Sequence, residues 1–418
     1  MSSQTIRTTA AQITYEVVYK KHNLSNAFNQ RLHKNKSPEY KSATKALCFD
    51  TIRHFLTYED IWSTCLDKKP KDKLVRVILT QALTEFYGMN KPSHAVVNEA
   101  INTAKKLNKN WAKGLINSCL RKAISIEKPT NSNPVAEFAH PQWWIDTVKK
   151  DWPNHWQQIL TANNQKPPLW IRSESAPPKD LEAQRHHYIL SAYKIAAQDV
   201  TKLPEFKNGK ISVQDASAQL AGYILDPQND DRILDACSAP GGKTGHLLEL
   251  NNNIHVDALE LYPNRAKKIS ENLKRLNLTA NILVADTKKT STWFRGLQYD
   301  KVLLDAPCSA SGIVRRHPDI KFVRQLNDLK DIYQDQQQLL NATAKVLKAG
   351  GTLLYATCSV FNAENSDQIE IFLKTHPEFN EIKLNYTFAE NCKYGIQILP
   401  GNEDSDGFYY CYLRKDDI

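Results

Sequence analysis

The chain has 418 residues, 41% hydrophobic and 24% charged, an ordinary globular composition with room for two or three domains. No apolar run reaches the ~18–20 residues of a membrane span, the N-terminal MSSQTIRTTAAQ has no apolar signal core, and 14 Gly and 19 Pro against 17 Tyr and 8 Trp exclude a collagen-like or disordered chain; a soluble, cytoplasmic, multi-domain protein is expected. The net charge of +10 is unevenly spread: residues 1–140 hold 22 Lys/Arg against 11 Asp/Glu, and residues 141–418 hold 33 against 34.

Residues 1–140 read as an all-α module. Ala10, Ile13 and Val17 recur at helical spacing, as do Leu74, Val77, Ile78, Ala82 and Phe86. Ser93 stands where an N-cap would precede the stripe Val97, Ile101, Ala104. A helical module carrying all the excess positive charge suits a polyanion, most simply nucleic acid, although a solvated lysine-rich surface has the same composition.

Between 129 and 180 the texture changes, with Pro129, Pro134, Pro141, Pro153, Pro167, Pro168, Pro177 and Pro178 preventing long helices. Residues 141–225 are expected to form a small α+β connector, with a strand at Leu169–Arg172, a helix at Leu181–Ala197 and a hairpin turn at Asn208-Gly209. From 226 to 418 strands alternate with helices. Strands are expected at Arg232–Ala236, His255–Glu260, Asn281–Asp286, Lys301–Ala306 and Thr352–Ala356, with helices at Thr244–Leu250, Ala266–Leu276 and Leu326–Leu347. This alternation implies a Rossmann-like parallel sheet covered on both faces, with Phe408–Leu413 as a late antiparallel edge strand.

Ligands in such sheets bind beyond the carboxyl ends of the strands. The first strand runs into Asp235-Ala236-Cys237-Ser238-Ala239-Pro240-Gly241-Gly242-Lys243-Thr244, a small-residue turn that lets a ligand approach the backbone. It is neither G-x-G-x-x-G nor a P-loop, so a nucleoside is favoured over a phosphate. Glu260 closes the second strand, where an acid accepts hydrogen bonds from ribose hydroxyls. Asp286 closes the third strand and Asp305 the fourth, and together these describe an adenosine-shaped site. Single acids at strand ends are commonplace; their succession with the glycine turn carries the inference.

The eight cysteines form no C-x-x-C pair and no cluster with zinc-ligand spacing, so free thiols and no metal are expected. Two of them follow strand ends, in Asp305-Ala306-Pro307-Cys308-Ser309 and in Ala356-Thr357-Cys358-Ser359. A lone cysteine there would be a small buried hydrophobe, but two on neighbouring strands above a nucleoside site suit pyrimidine chemistry. Carbon 5 of cytosine is a poor nucleophile until a thiolate adds to carbon 6 and a carboxyl group supports ring N3.

The three segments Asp-Ala-Cys-Ser-Ala-Pro-Gly-Gly-Lys-Thr, Asp-Ala-Pro-Cys-Ser and Ala-Thr-Cys-Ser resemble the RNA 5-methylcytosine methyltransferases of the NOL1/NOP2/Sun family, and the paired cysteines are specific to it. DNA cytosine methyltransferases use the Pro-Cys cysteine, so the second cysteine points to RNA. The resemblance implies that Cys358 is the nucleophile, that Cys308 assists carbon-5 deprotonation or product release, and that Asp305 contacts the cytosine. S-adenosylmethionine would lie along Cys237, Ser238, Ala239, Pro240, Gly241, Gly242 and Lys243, with Glu260, Asp286 and Asp305. Glu260 stands where relatives often carry Asp, and either carboxylate accepts from ribose. The helical N-terminus resembles the NusB-type RNA-binding domain of one bacterial subgroup, as do Val213–Gln219 and Arg315–Lys321. That subgroup acts on the small subunit, at cytosine 967 of 16S rRNA, so the implied partner is 16S rRNA or an assembling small subunit, met by a monomer. Arg315, Arg316, His317 and Lys321 are expected to hold RNA phosphates; Asn362, Glu364 and Asn365 are expected to order the nucleophile's loop without a catalytic part.

Two other classes compete. A non-catalytic RNA-binding assembly or antitermination factor would need no intact Cys308, Cys358 and Asp305. A nicotinamide-dependent dehydrogenase would need G-x-G-x-x-G and leaves both cysteines unexplained. Within the methyltransferase reading another RNA substrate stays open, because no motif encodes the target nucleotide.

Overall fold

The structure is a computed structural model describing residues 5–32, 36–126 and 133–417; Pro129 lies outside these. The chain divides into two compact units, one of residues 1–166 with 314–326, the other of residues 167–313 with 327–418. The division between them falls at residue 166, within the stretch expected as the connector. No helix among the described residues is long and apolar enough to cross a membrane.

The first unit is helical. Its helices form where local chemistry starts them: Thr5 makes a capping box for Ile6–Lys20, Ser37 caps Pro38–Arg53 with Pro38 in the first turn, and Asp72 accepts from the Leu74 and Val75 amides of Lys73–Leu83. Ser93 does not cap as expected; Pro92 holds that place and Ser93 is the first residue of the helix Ser93–Lys106. The apolar stripes meet in one core, with Ala10, Ile13, Val17, Val77, Ile78, Ala82, Val97 and Ala104 buried. Phe322, from the returning segment, joins that core edge-on to Phe55 at 5.7 Å between ring centres.

The second unit carries two sheets. The smaller is antiparallel, ordered β2-β3-β1-β4 from β1 (Leu169–Arg172), β2 (Gln184–Arg185), β3 (Ala192–Ile195) and β4 (Ser212–Val213). The helix expected at Leu181–Ala197 is thus replaced by two strands. A short run of apolar residues does not distinguish helix from strand, and pairing with β1 decides it. Asn208-Gly209 is not a hairpin turn: it ends the short helix Pro204–Lys207, and β4 pairs with the distant β1.

The larger sheet holds β5 (Arg232–Asp235), β6 (His255–Glu260), β7 (Asn281–Val284), β8 (Tyr299–Asp305), β9 (Leu347–Thr357), β10 (Phe379–Ile382), β11 (Glu390–Asn391), β12 (Ile396–Ile398) and β13 (Phe408–Lys415). Its order is β11-β12-β13-β9-β8-β5-β6-β7, with β10 also on β13. Strands β5 to β9 are mutually parallel. Alternate residues face opposite sides. Ile233, Leu303 and Leu354 pack with Leu220, Leu247 and Ile269 from the helices Ala216–Leu225, Gly242–Leu250 and Pro263–Leu276. Leu234, Leu304 and Tyr355 pack with Leu339 and Phe372 from Asp328–Val346 and Ser366–Thr375. Strand β13 is antiparallel as expected but interior, because β10 and β12 pair with it beyond β9; those short strands left little periodic signal.

Candidate active site

The carboxyl ends of β5, β6, β8 and β9 and the loop after β7 bring the chemistry together. After Asp235 the chain turns through Cys237–Gly242; the Ser238 amide and hydroxyl both donate to Leu259 O at 3.1 Å, and the Gly241 amide donates to Ser238 O at 2.7 Å. Gly241 sits at φ +91°, and a Cβ there would lie 3.1 Å from Ile269 Cα. Gly242 differs: a Cβ would meet nothing nearer than Gln214 Nε2 at 3.9 Å. Packing does not demand that glycine, whose missing side chain leaves open space over the turn.

Around this turn stand the acids. Glu260, buried at the end of β6, accepts from the Tyr262 amide at 3.0 Å and has Arg265 at 3.5 Å. Asp286, two residues beyond β7, accepts from the Lys288 amide at 3.1 Å. Asp305, ending β8, is held by Lys243 Nζ at 2.7 Å, and the Lys243 ammonium lies 4.7 Å from the centre of the Phe408 ring. Asp235 is fully buried, accepts from Thr244 Oγ1 at 2.6 Å, and has its pKa raised by burial to about 7. Burial, then the nearby Asp305, Asp235 and Glu260, push the Cys237 thiol upward, so it is an inert wall of the turn. Carboxylates facing a turn with an open glycine fit a nucleoside bearing hydroxyl and amino donors, so the residues suit S-adenosylmethionine.

Parallel pairing sets Asp305 of β8 opposite Ala356 of β9. Each strand end is followed by a cysteine, and the sulfurs of Cys308 and Cys358 lie 3.4 Å apart. The Cys308 thiol is held well above its ordinary range, first by its hydrogen bond with Cys358, then by burial and by the charges of Cys358 and Glu364. Two thiols this close do not both ionise, since the first thiolate holds the second proton. The arrangement places two thiols in contact and a lysine-held carboxylate at one strand edge.

The basic residues after Cys308 behave differently from expectation. Arg315 and Lys321 are buried in the first unit. Lys321 Nζ donates to Arg53 O at 2.7 Å, Ala139 O at 2.8 Å and Asn164 Oδ1 at 3.0 Å. The Arg53 guanidinium donates to Arg315 O at 2.9 Å, and the Leu24 amide to Asp319 at 2.9 Å. The Lys321 ammonium and the Arg315 carbonyl anchor the segment 314–326, and the Arg315 and Lys321 side chains are both buried rather than presented to RNA. Arg316 is half-buried and His317 exposed. Sequence reasoning also passed over Gln336 and the serines Ser309, Ser311 and Ser359, which join Glu364 below the cysteines. The repeated Cys-Ser pair was the signal for Ser309 and Ser359; Ser311 and Gln336 had none.

Three family descriptions match: "NusB family" over residues 4–125, a ferredoxin-like domain of RsmF/B-like methyltransferases over 140–204, and "16S rRNA methyltransferase RsmB/F" over 222–414. A probable ribosomal RNA small subunit methyltransferase B from Coxiella burnetii is 39% identical, covering 98% of this chain and 99% of its own length. The ribosomal RNA small subunit methyltransferase B of Vibrio vulnificus is 36% identical over 98% and 99%. Among solved structures, a methyltransferase homolog protein from Pyrococcus horikoshii superposes with a TM-score of 0.59 at 25% identity, covering 67% of this chain and 97% of its own. With this full-length identity, and with the paired cysteines, the lysine-held acid and the glycine turn at one sheet edge, the chain belongs to the ribosomal RNA small subunit methyltransferase B family of S-adenosylmethionine-dependent enzymes.

Proposed function

We propose that this chain methylates carbon 5 of a cytosine in small-subunit rRNA, cytosine 967 of 16S rRNA, through a covalent adduct between Cys358 and carbon 6. The observation that carries the reading is the pair of sulfurs 3.4 Å apart beside the Lys243–Asp305 pair. Bound S-adenosylmethionine supplies an electrophilic methyl group; Cys237–Lys243, Glu260, Asp286 and Asp305 would hold it. Cys358 Sγ adds to carbon 6 while Asp305, oriented by Lys243, supports N3 as electron density moves to carbon 5. Once carbon 5 carries the methyl group, its proton leaves to a base, the carbon 6–sulfur bond breaks and Cys358 departs as thiolate. Cys308, held protonated beside it, is placed to assist that release.

A cytosine inside a stem hides carbon 6, so the target must be single-stranded or flipped. The basic helical unit supplies salt-sensitive affinity for RNA, with the exposed Lys68 and Lys71 as contacts. Arg316 and His317 retain the proposed RNA contact that Arg315 and Lys321 lose.

The test is methyl transfer from labelled S-adenosylmethionine to protein-free 16S rRNA, 23S rRNA and tRNA, with wild type, Cys358→Ala and Cys308→Ala side by side and the modified nucleotide mapped. Label at carbon 5 of one 16S cytosine, lost in Cys358→Ala, is expected, with a protein–RNA adduct accumulating in Cys308→Ala. Tight RNA binding without transfer to any RNA would favour a non-catalytic assembly factor.

A further inference from the structure

Beneath the two sulfurs lies a polar cluster that the methyl-transfer steps do not use. Ser309, Ser311, Ser359, Gln336 and Glu364 are all fully buried. Glu364 Oε2 accepts from the Ser309 amide at 2.6 Å and from Gln336 Nε2 at 3.4 Å, and Oε1 accepts from Ser359 Oγ at 2.7 Å. Ser359 Oγ lies 2.8 Å from Ser311 Oγ and 3.3 Å from Ser309 Oγ. Gln336 also donates to Pro307 O at 3.0 Å. One carboxylate thus bonds the residue after each cysteine, on loops following two different strands.

A buried carboxylate among neutral partners is a costly brace. A neutral amide would tie the same loops more cheaply, so the charge itself calls for a reason. Two N–H donors converge on Oε2 and the Ser359 hydroxyl donates to Oε1, so both oxygens act as acceptors, as in an ionised carboxylate. We propose that Glu364 is the positioning residue of the two-cysteine site: it grips both loops to fix the sulfur–sulfur separation, and its buried negative charge makes Cys308 the less reactive of the two thiols. This rests on the assignment of Cys358 as nucleophile.

The groups around Cys308 agree in sign. Cys358 follows β9, Glu364 comes from the short helix Asn362–Glu364, the Tyr355 phenol rises from β9, and Asp305 ends Cys308's own strand. All are acidic, and the Lys243 ammonium is paired with Asp305. Burial raises the Glu364 carboxyl while its serine and glutamine donors oppose that rise, and the Cys308 thiol is pushed up in part by Glu364. With the two sulfurs 3.4 Å apart, a fixed negative charge nearer one of them disfavours a second charge there.

The experiment measures iodoacetamide alkylation of Cys308 and Cys358 separately, by peptide mass spectrometry, across pH in the full-length RNA-free protein. Wild type is compared with Glu364→Gln, which removes the charge, and Gln336→Leu, which loosens the same cluster but keeps it. The expected result is that Glu364→Gln lowers the pH midpoint of Cys308 alkylation by about one unit, while Gln336→Leu leaves it in place. Should Glu364→Gln fail to fold, Glu364→Asp, which keeps the charge on a shorter arm, is expected to preserve Cys308 protection while slowing single-turnover methyl transfer. Unchanged profiles in folded Glu364→Gln, the same shift in Gln336→Leu, or lost protection in Glu364→Asp would overturn the proposal. Because alkylation needs neither RNA nor methyl donor, its outcome is independent of whether wild type methylates 16S rRNA.

Discussion

Lys321 is the sharpest case of a residue whose charge misleads, and replacing it with methionine tests why it is there. Its side chain is 1% exposed, and its ammonium donates to Arg53 O, Ala139 O and Asn164 Oδ1 at 2.7–3.0 Å. Burial and the Arg53 guanidinium push its pKa well down, so those three oxygens stand in for the water it has lost. Lys321→Met keeps the length and apolar stem but leaves three acceptors unpaired in a dry site. At about 1–3 kcal/mol for each unsatisfied group, partly relieved by removing a buried charge, the net loss is about 2–4 kcal/mol. With a urea slope of about 1–3 kcal/mol/M, the unfolding midpoint of the first unit falls by about 1–2 M. Tryptophan fluorescence of the full chain reports this, since Trp62, Trp111, Trp143, Trp144, Trp152 and Trp156 lie in that unit. The unchanged salt dependence of RNA binding completes the expected result. An unmoved midpoint with a salt slope reduced by about 0.7–0.9, the signature of one lost phosphate contact, would refute the anchoring role and restore the RNA-contact one.

Asp235 offers a pH test. Its folded pKa of about 7 lies above the unfolded value of about 3.9, so the folded chain keeps a proton that the unfolded chain releases. Its contribution to stability therefore falls as pH rises from about 4 to 7 and then levels. Asp235→Asn should gain on wild type across that window by on the order of 2–4 kcal/mol; thermal melts at pH 5 and 8 that differ equally in both proteins would contradict it. Lys243→Met releases Asp305 from its 2.7 Å partner and should lower kcat about 10²-fold by misorienting the carboxylate, with RNA affinity measured by filter binding unchanged. Gly241→Ala forces a Cβ to 3.1 Å from Ile269 Cα at φ +91°; a stability loss of about 1–3 kcal/mol and weaker S-adenosylmethionine binding by calorimetry are expected, and wild-type values for both would remove the steric argument.

The sequence by itself determined the helical basic module, the parallel strands β5 to β9, the acids Glu260 and Asp305 at strand ends and the cysteines in the loops after β8 and β9, while Asp286 lies two residues past β7. These are local properties, carried by apolar periodicity and by small residues at turns. Its limits are equally physical. Leu181–Ala197 has no strong period, and only pairing with β1 made it strands. Strand β13 moved from the edge to the interior because β10 and β12, too short to leave a pattern, found it as a partner. Arg315 and Lys321 are indistinguishable in sequence from surface cations; what decides between a phosphate and a carbonyl is which side of a packed core the segment runs, a long-range outcome. The Cys308–Cys358 contact and the Glu364 clamp beneath it likewise join residues about 50 positions apart. Residue types announced the chemistry, and the pairing of β8 with β9 brought the two thiols into contact, with one carboxylate bonding the serine after each.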